Sequence, residues 1–195
     1  MLKEALKDYN LILASGSPRR QDFFKKLDLD FSINVREVEE VFDPGLKEAQ
    51  ITDYLAKLKA SVFTDLKDKD ILVTSDTIVW MNGRAIGKPT DRDHAIAMLQ
   101  ELSGKRHTVY TSVCFTTKDS QKVVNDCTQV WFRVLSLEEI EYYLDNYQPY
   151  DKAGSYGIQD WLGYVAIEKI EGSFFNVMGL PTRLVYKELL ALAKS

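Results

Sequence analysis

The 195-residue chain has only two cysteines, Cys114 and Cys127, and only two histidines, His94 and His107. Two cysteines, each inside an apolar strand-like run, are too few for a disulfide framework. They read as two buried thiols in a reducing cytoplasm. Neither histidine has a second Cys or His at ligand spacing, which sets aside a zinc site. No apolar run is long enough for a spanning helix, so no membrane segment is expected. The N-terminus, MLKEALKDYN, lacks the apolar core of a signal peptide. A basic excess is also missing: 25 Lys and Arg face 29 Asp and Glu, a net charge of −4. That balance argues against duplex nucleic acid as a partner while leaving room for a local basic pocket. Neither G-x-x-x-x-G-K-[ST] nor G-x-G-x-x-G occurs, so Walker loops and dinucleotide binding have no support.

What is present reads as an ordinary globular chain, 45% hydrophobic and 28% charged. The length fits one domain over residues 1–195, or two lobes sharing a sheet. Helical and strand-like patterns alternate, with hairpins in the middle, which predicts a mixed-sheet α/β fold. Leu11–Ala14 is a buried strand, and Pro18 opens a helix with Ser17 at its N-cap. A second strand is expected over Phe31–Val35. Ile51, Tyr54, Leu55, Leu58 and Val62 follow a helical period across 49–66. Lys57 falls opposite that stripe and Lys59 at its edge. Ile71–Trp80 is a candidate strand pair interrupted by Ser75-Asp76-Thr77, and Asn82-Gly83 is a two-residue hairpin turn. Thr90 with Asp93 is expected to cap the helix 91–102, and Ser136 with Glu139 forms a capping box for 137–145. Long β runs cover 108–117 and 122–134, a loop covers 148–159, a strand 164–170, and Pro181 opens a last helix.

Several residues could carry chemistry. Arg19 and Arg20 sit in the first turn of a helix, against the positive end of its dipole. A phosphate over Ser15-Gly16-Ser17 would reverse that penalty, because the backbone N–H groups and both arginines would then face an anion. A surface loop with two solvated arginines is the alternative. Asp76 lies inside an apolar run, where a carboxylate needs a pairing cation or a metal. An edge-strand aspartate facing water is the other reading. Lys88, just past the hairpin, is by itself a turn lysine. Glu37, Glu39 and Glu40 are a solvated edge, or with Asp76 a set of oxygen ligands for Mg²⁺. Gln159 ends a loop with close-approach glycines and an aromatic, and its amide could read a base edge.

These segments, in this order, resemble the Maf family of nucleoside triphosphate pyrophosphatases: LASGSPRR (13–20), LKA (58–60), SDTIV (75–79), GKP (87–89), LSGKRHTVYT (102–111), DKAGSYGIQ (151–159) and IEGSFFNVMGLP (170–181). The resemblance implies a Maf/ITPase-like fold, a long central mixed β-sheet flanked by helices with two lobes around a substrate cleft. It implies dependence on Mg²⁺ or Mn²⁺ and hydrolysis of a nucleoside triphosphate to monophosphate and pyrophosphate. Asp76 matches the catalytic proton acceptor. Ser15, Arg19, Arg20, Lys59 and Lys88 match phosphate-binding positions, and Glu40 matches an acidic position near the metal, with Asp76. Arg19, Thr77 and Gln159 match positions tied to substrate choice. DKAG-[AS]-Y-GIQ resembles the subgroup acting on dTTP and UTP, and a homodimer joins the family expectation. The rival readings are a 7-methyl-GTP or broad house-cleaning pyrophosphatase, and a nucleotide-sensing regulator of septum formation. Two departures stand out: Tyr147-Gln148-Pro149 replaces the common Gly-Glu-Pro, and Asp160-Trp161 follows Gln159 where Gln-Gly is usual.

Overall fold

The computed structural model describes residues 1–194. In chain order the elements are α1 (Leu2–Ala5), β1 (Asn10–Leu13), α2 (Pro18–Lys26), β2 (Ser32–Ile33), α3 (Ala49–Ser61), β3 (Asp70–Met81), β4 (Arg84–Ile86) and α4 (Arg92–Leu102). They continue with β5 (Arg106–Thr116), β6 (Gln121–Phe132), α5 (Leu137–Tyr147), α6 (Trp161–Ala166), β7 (Ile167–Glu171), α7 (Phe174–Val177) and α8 (Thr182–Leu192). The strands form one seven-stranded sheet in the order β2-β1-β3-β5-β6-β7, with β4 paired to β3. β1 runs parallel to both β2 and β3, whereas β3–β4 and β6–β7 are antiparallel. The expected mixed sheet with flanking helices is therefore present.

The chain divides into two compact units. The first takes Met1–Asp76, Thr111–Asp126 and residues 179–194. Within it, β1 is registered on β3 from Asn10 opposite Asp70 to Leu13 opposite Val73. Ala56, Ala60 and Phe63 at the α3 end pack with Leu72 and Cys114. The buried face of α3 is Ile51, Thr52, Leu55, Ala56 and Ala60, so small residues carry much of it. Tyr54, expected in that stripe, is exposed, and the helix stops at Ser61 rather than continuing to 66. The strand expected over Phe31–Val35 is confined to Ser32–Ile33.

The second unit takes Thr77–Tyr110 and Cys127–Met178. Its core gathers Leu99 and Leu102 of α4, Phe132 of β6, and Ile140, Tyr143 and Leu144 of α5. The Asn82-Gly83 turn closes β3 onto β4 with both residues at positive φ, 53° and 77°, as a type I′ hairpin demands. The capping box at Ser136 is present with both of its reciprocal bonds.

Four further expectations need correction. β3 is not broken at Ser75-Asp76-Thr77: it runs without interruption, because β1 on one side and β5 on the other give it ladder partners. Asp91, not Thr90, caps α4, its carboxylate accepting the His94 N–H at 2.8 Å. Trp161–Ala166 is a helical turn, so the last strand begins only at Ile167. Short apolar runs of this kind fit either element, and the Gly163 N–H bonded to the Asp160 carbonyl at 2.9 Å sets the helical choice. Cys127 is exposed, because β6 alternates and the residue falls on its open side, while Cys114 is buried. Ser17 holds the N-cap position of α2 as expected, without a side-chain cap bond, and Ser15 Oγ accepts the Ser17 N–H at 3.3 Å.

Candidate active site

Asp76 stands in the middle of β3 and is only 7% exposed. Its Oδ1 meets Lys59 Nζ at 2.6 Å, and Glu40 Oε2 reaches the same ammonium at 3.1 Å. Lys59 comes from the last turn of α3, at the margin of its buried face, so its stem crosses apolar surface while its head reaches the strand. Glu40 comes from the segment following β2 and is exposed. Three residues remote in sequence, all expected at the site, are thus brought to one point. Glu37 and Glu39 are exposed. Lys57 is exposed as expected.

Beside this cluster, Arg20 of α2 donates through Nη1 to the Ser75 carbonyl and through Nε to the Gly179 carbonyl, each at 2.9 Å. Burial pulls its guanidinium below the ordinary arginine value, Asp76 opposes that effect, and Arg19 adds to it. Arg19 is half-buried on the same first turn, which contains no acidic residue. Ser15 is buried, and its carbonyl accepts from Gln21 Nε2 at 3.1 Å. The loop is open over Gly16, where a Cβ would meet nothing within 4 Å. An open loop, a helix N-terminus and two cations form a ready anion-binding surface.

Ser75 Oγ is a feature that reading the residues one by one did not single out. It is buried and has no hydrogen-bond partner among the described residues. Its place beside Asp76 in SDTIV was the available signal.

The remaining candidates belong to the second unit. Thr77 is half-buried on β3. Lys88 is exposed, and Gly87 before it accepts the Gly154 N–H at 2.9 Å, which ties the GKP turn to the 151–159 loop. The longer 148–159 segment contains two single 3₁₀ turns, Pro149–Asp151 and Ala153–Ser155. Tyr156 is buried with its hydroxyl 2.7 Å from His107 Nε2, and both rings pack edge-on against Phe132. Gln159 is half-buried, yet its Oε1 is fully enclosed and unpartnered among the described residues. A buried acceptor without a donor is costly and marks a place where a ligand or water belongs.

Asp76 and Glu40 are the two carboxylates of this cluster that could take part in holding a metal. Two carboxylate oxygens already converge on one cationic head, and hard oxygen donors suit Mg²⁺ or Mn²⁺. Among the described residues no group of three or more His, Cys, Asp or Glu could hold an ion. A carboxylate pair of this kind fits a cation that completes its shell with water and substrate oxygens. Among the described residues, no helix is long and apolar enough to cross a membrane.

The chain has clear relatives among known proteins. The model of the family described as Maf-like protein matches residues 10–192. A protein of Flavobacterium psychrophilum is 58% identical over 191 residues, covering 97% of this chain and 98% of its own. A protein of Flavobacterium johnsoniae is 55% identical, covering 98% and 100%. One of Christiangramia forsetii is 55% identical over the whole of both chains. All three are named dTTP/UTP pyrophosphatase. A solved HAM1 protein structure from Coxiella burnetii covers 64% of this chain and 73% of its own, at 13% identity and a TM-score of 0.44. With a family match along nearly its whole length and relatives sharing more than half of its residues, the chain belongs to the Maf family.

Proposed function

We propose that this protein hydrolyses nucleoside triphosphates, foremost dTTP and UTP, to the monophosphate and pyrophosphate, with the whole chain acting as one catalytic domain in the cytoplasm. The observation that carries the reading is the convergence of Asp76 and Glu40 on Lys59. Names of relatives that match end to end support the same activity and the same pair of substrates.

In this reading Asp76 accepts a proton from the water that attacks the α-phosphorus. A new P–O bond forms to that water as the bond to the bridging oxygen breaks, and pyrophosphate leaves. Ser15, Arg19, Arg20, Lys59 and Lys88 hold the triphosphate and offset its charge, the usual dominant contribution in such chemistry. Lys59 is suited to the part, since its ammonium lies at the Asp76 carboxylate and would meet a phosphate held beside it. Asp76 and Glu40 would hold Mg²⁺ or Mn²⁺, which supplies further positive charge against the triphosphate.

Base choice falls to Arg19, Thr77 and Gln159. The enclosed Gln159 Oε1 wants a donor, and the imide N–H of thymine or uracil provides one. The test is pyrophosphate release from dTTP, UTP, CTP, GTP and 7-methyl-GTP, with Mg²⁺ or Mn²⁺ and with chelator. Metal-dependent release, fastest with dTTP and UTP, is expected. Tight nucleotide binding with no release would overturn the enzyme reading in favour of a sensor.

A further inference from the structure

Gln159 is followed here by Asp160, the N-cap of α6, and an aspartate in that position ordinarily accepts a helix N–H. This one makes no side-chain cap bond. Its Oδ2 instead accepts from the Tyr143 hydroxyl at 3.0 Å and lies 3.6 Å from Lys152 Nζ. The Tyr143 oxygen in turn accepts the Gly157 N–H at 3.0 Å, and the Asp160 N–H returns to the Gly157 carbonyl at 3.0 Å. Tyr143 is wholly buried and stacks on Tyr147, so the hydroxyl is a fixed point. Residues 157–160 are therefore tied at both ends to one phenol.

The Gln159 amide nitrogen lies on the same side of this turn as the carboxylate. A Cβ at Gly157 would collide with Asp160 Oδ2 and lie 2.9 Å from Gln159 Nε2, so both groups crowd one side of the glycine. A carboxylate beside an amide favours the NH₂ end turned toward it and the oxygen turned away. That orientation matters for base reading. An amide rotated by half a turn exchanges donor and acceptor, and then pairs with the N3 and amino edge of cytosine in place of the N3–H and carbonyl edge of uracil.

We propose that Asp160, held by Tyr143 and Lys152, is a positioning residue for base choice: it fixes the turn 157–160 and the orientation of the Gln159 amide, so that the site takes uracil and thymine nucleotides over cytosine ones. The proposal rests on Gln159 as the base-reading residue.

The experiment measures kcat/KM for UTP and for CTP with the full chain and Mg²⁺, in wild type, Asp160→Ala, Tyr143→Phe, Gln159→Ala and the Asp160→Ala/Gln159→Ala double variant. The UTP/CTP ratio is expected to fall at least about tenfold in Asp160→Ala, within what hydrogen-bonded recognition supplies. The double variant should match Gln159→Ala alone, since two residues acting through one amide are not additive. Tyr143→Phe keeps the ring and loses the acceptor. It should lower the ratio in the same direction and speed hydrogen exchange at the Gly157 amide at least about tenfold. If Asp160→Ala does not fold, the Tyr143→Phe results decide. Ratios within about twofold of wild type in Asp160→Ala and Tyr143→Phe, with a shifted ratio in Gln159→Ala, overturn the proposal and leave the pyrophosphatase reading intact. An unshifted Gln159→Ala overturns the base-reading assignment and this proposal together. Absence of wild-type hydrolysis overturns the functional reading, and the proposal with it.

Discussion

A carboxylate inside a strand is expensive unless a cation or hydrogen bonds compensate, so the burial of Asp76 is tied to the ammonium beside it. Asp76→Asn keeps the shape and removes the proton acceptor. Steady-state pyrophosphate release should fall at least about 10²-fold, and near-normal turnover in a folded variant would remove Asp76 from the mechanism. His107 offers a second residue-level test, of stability. Burial holds its imidazole down to about 3, so the folded protein keeps it neutral where the unfolded chain, near 6.5, takes up a proton. The unfolded state therefore binds more protons between these values, and stability falls as pH drops from about 6.5 toward 3. From pH 6.5 to 5 the loss from this one group should be roughly 1–2 kcal/mol, read from urea midpoints. His107→Gln should flatten that slope, and an unchanged slope would mean another group is responsible.

At the scale of elements, the start of α5 is a separable unit. Ser136 Oγ accepts the Glu139 N–H at 3.2 Å, and Glu139 Oε2 accepts the Ser136 N–H at 2.9 Å. Arg133 adds paired bonds to the same carboxylate, which lower it to about 2, with the Ser136 N–H assisting. Ser136→Ala should cost about 1 kcal/mol, a drop of roughly 2–4 °C in Tm for a chain of this size. A melting curve that does not move would show the cap to be redundant with Arg133. This box and the Asn82-Gly83 turn were legible in the sequence because their chemistry lies within four residues. The continuity of β3 was not, since it depends on neighbours β1 and β5 that are remote in sequence. Cys127 and Tyr54 are exposed against expectation for a related reason: residue type indicates burial only on average, and which face a strand or helix turns inward is decided by what packs on it.

For the whole molecule, the order of short motifs carried most of the candidate site, including the Lys59, Asp76 and Glu40 cluster. Its local cause, a lysine at the margin of an amphipathic helix, was visible before its partner was. The bond from Tyr143 to Asp160 was not, because a buried tyrosine on a helix looks like core until its hydroxyl is located. The net charge of −4 is repulsive to a triphosphate at long range, so affinity has to come from the local cations and the divalent ion. Binding of that kind stabilises the fold by mass action, since the unfolded chain has no assembled site. Asp76→Asn protein, slow to consume its ligand, allows this to be measured by thermal melting with UTP and Mg²⁺. At 100 times the dissociation constant the gain is about 2.7 kcal/mol, or roughly 5–11 °C for a chain of this length. CTP at the same concentration should give a smaller shift, through its poorer match to Gln159. Equal shifts with every triphosphate would mean that phosphate contacts alone govern binding, and would move the origin of base choice from affinity to the chemical step.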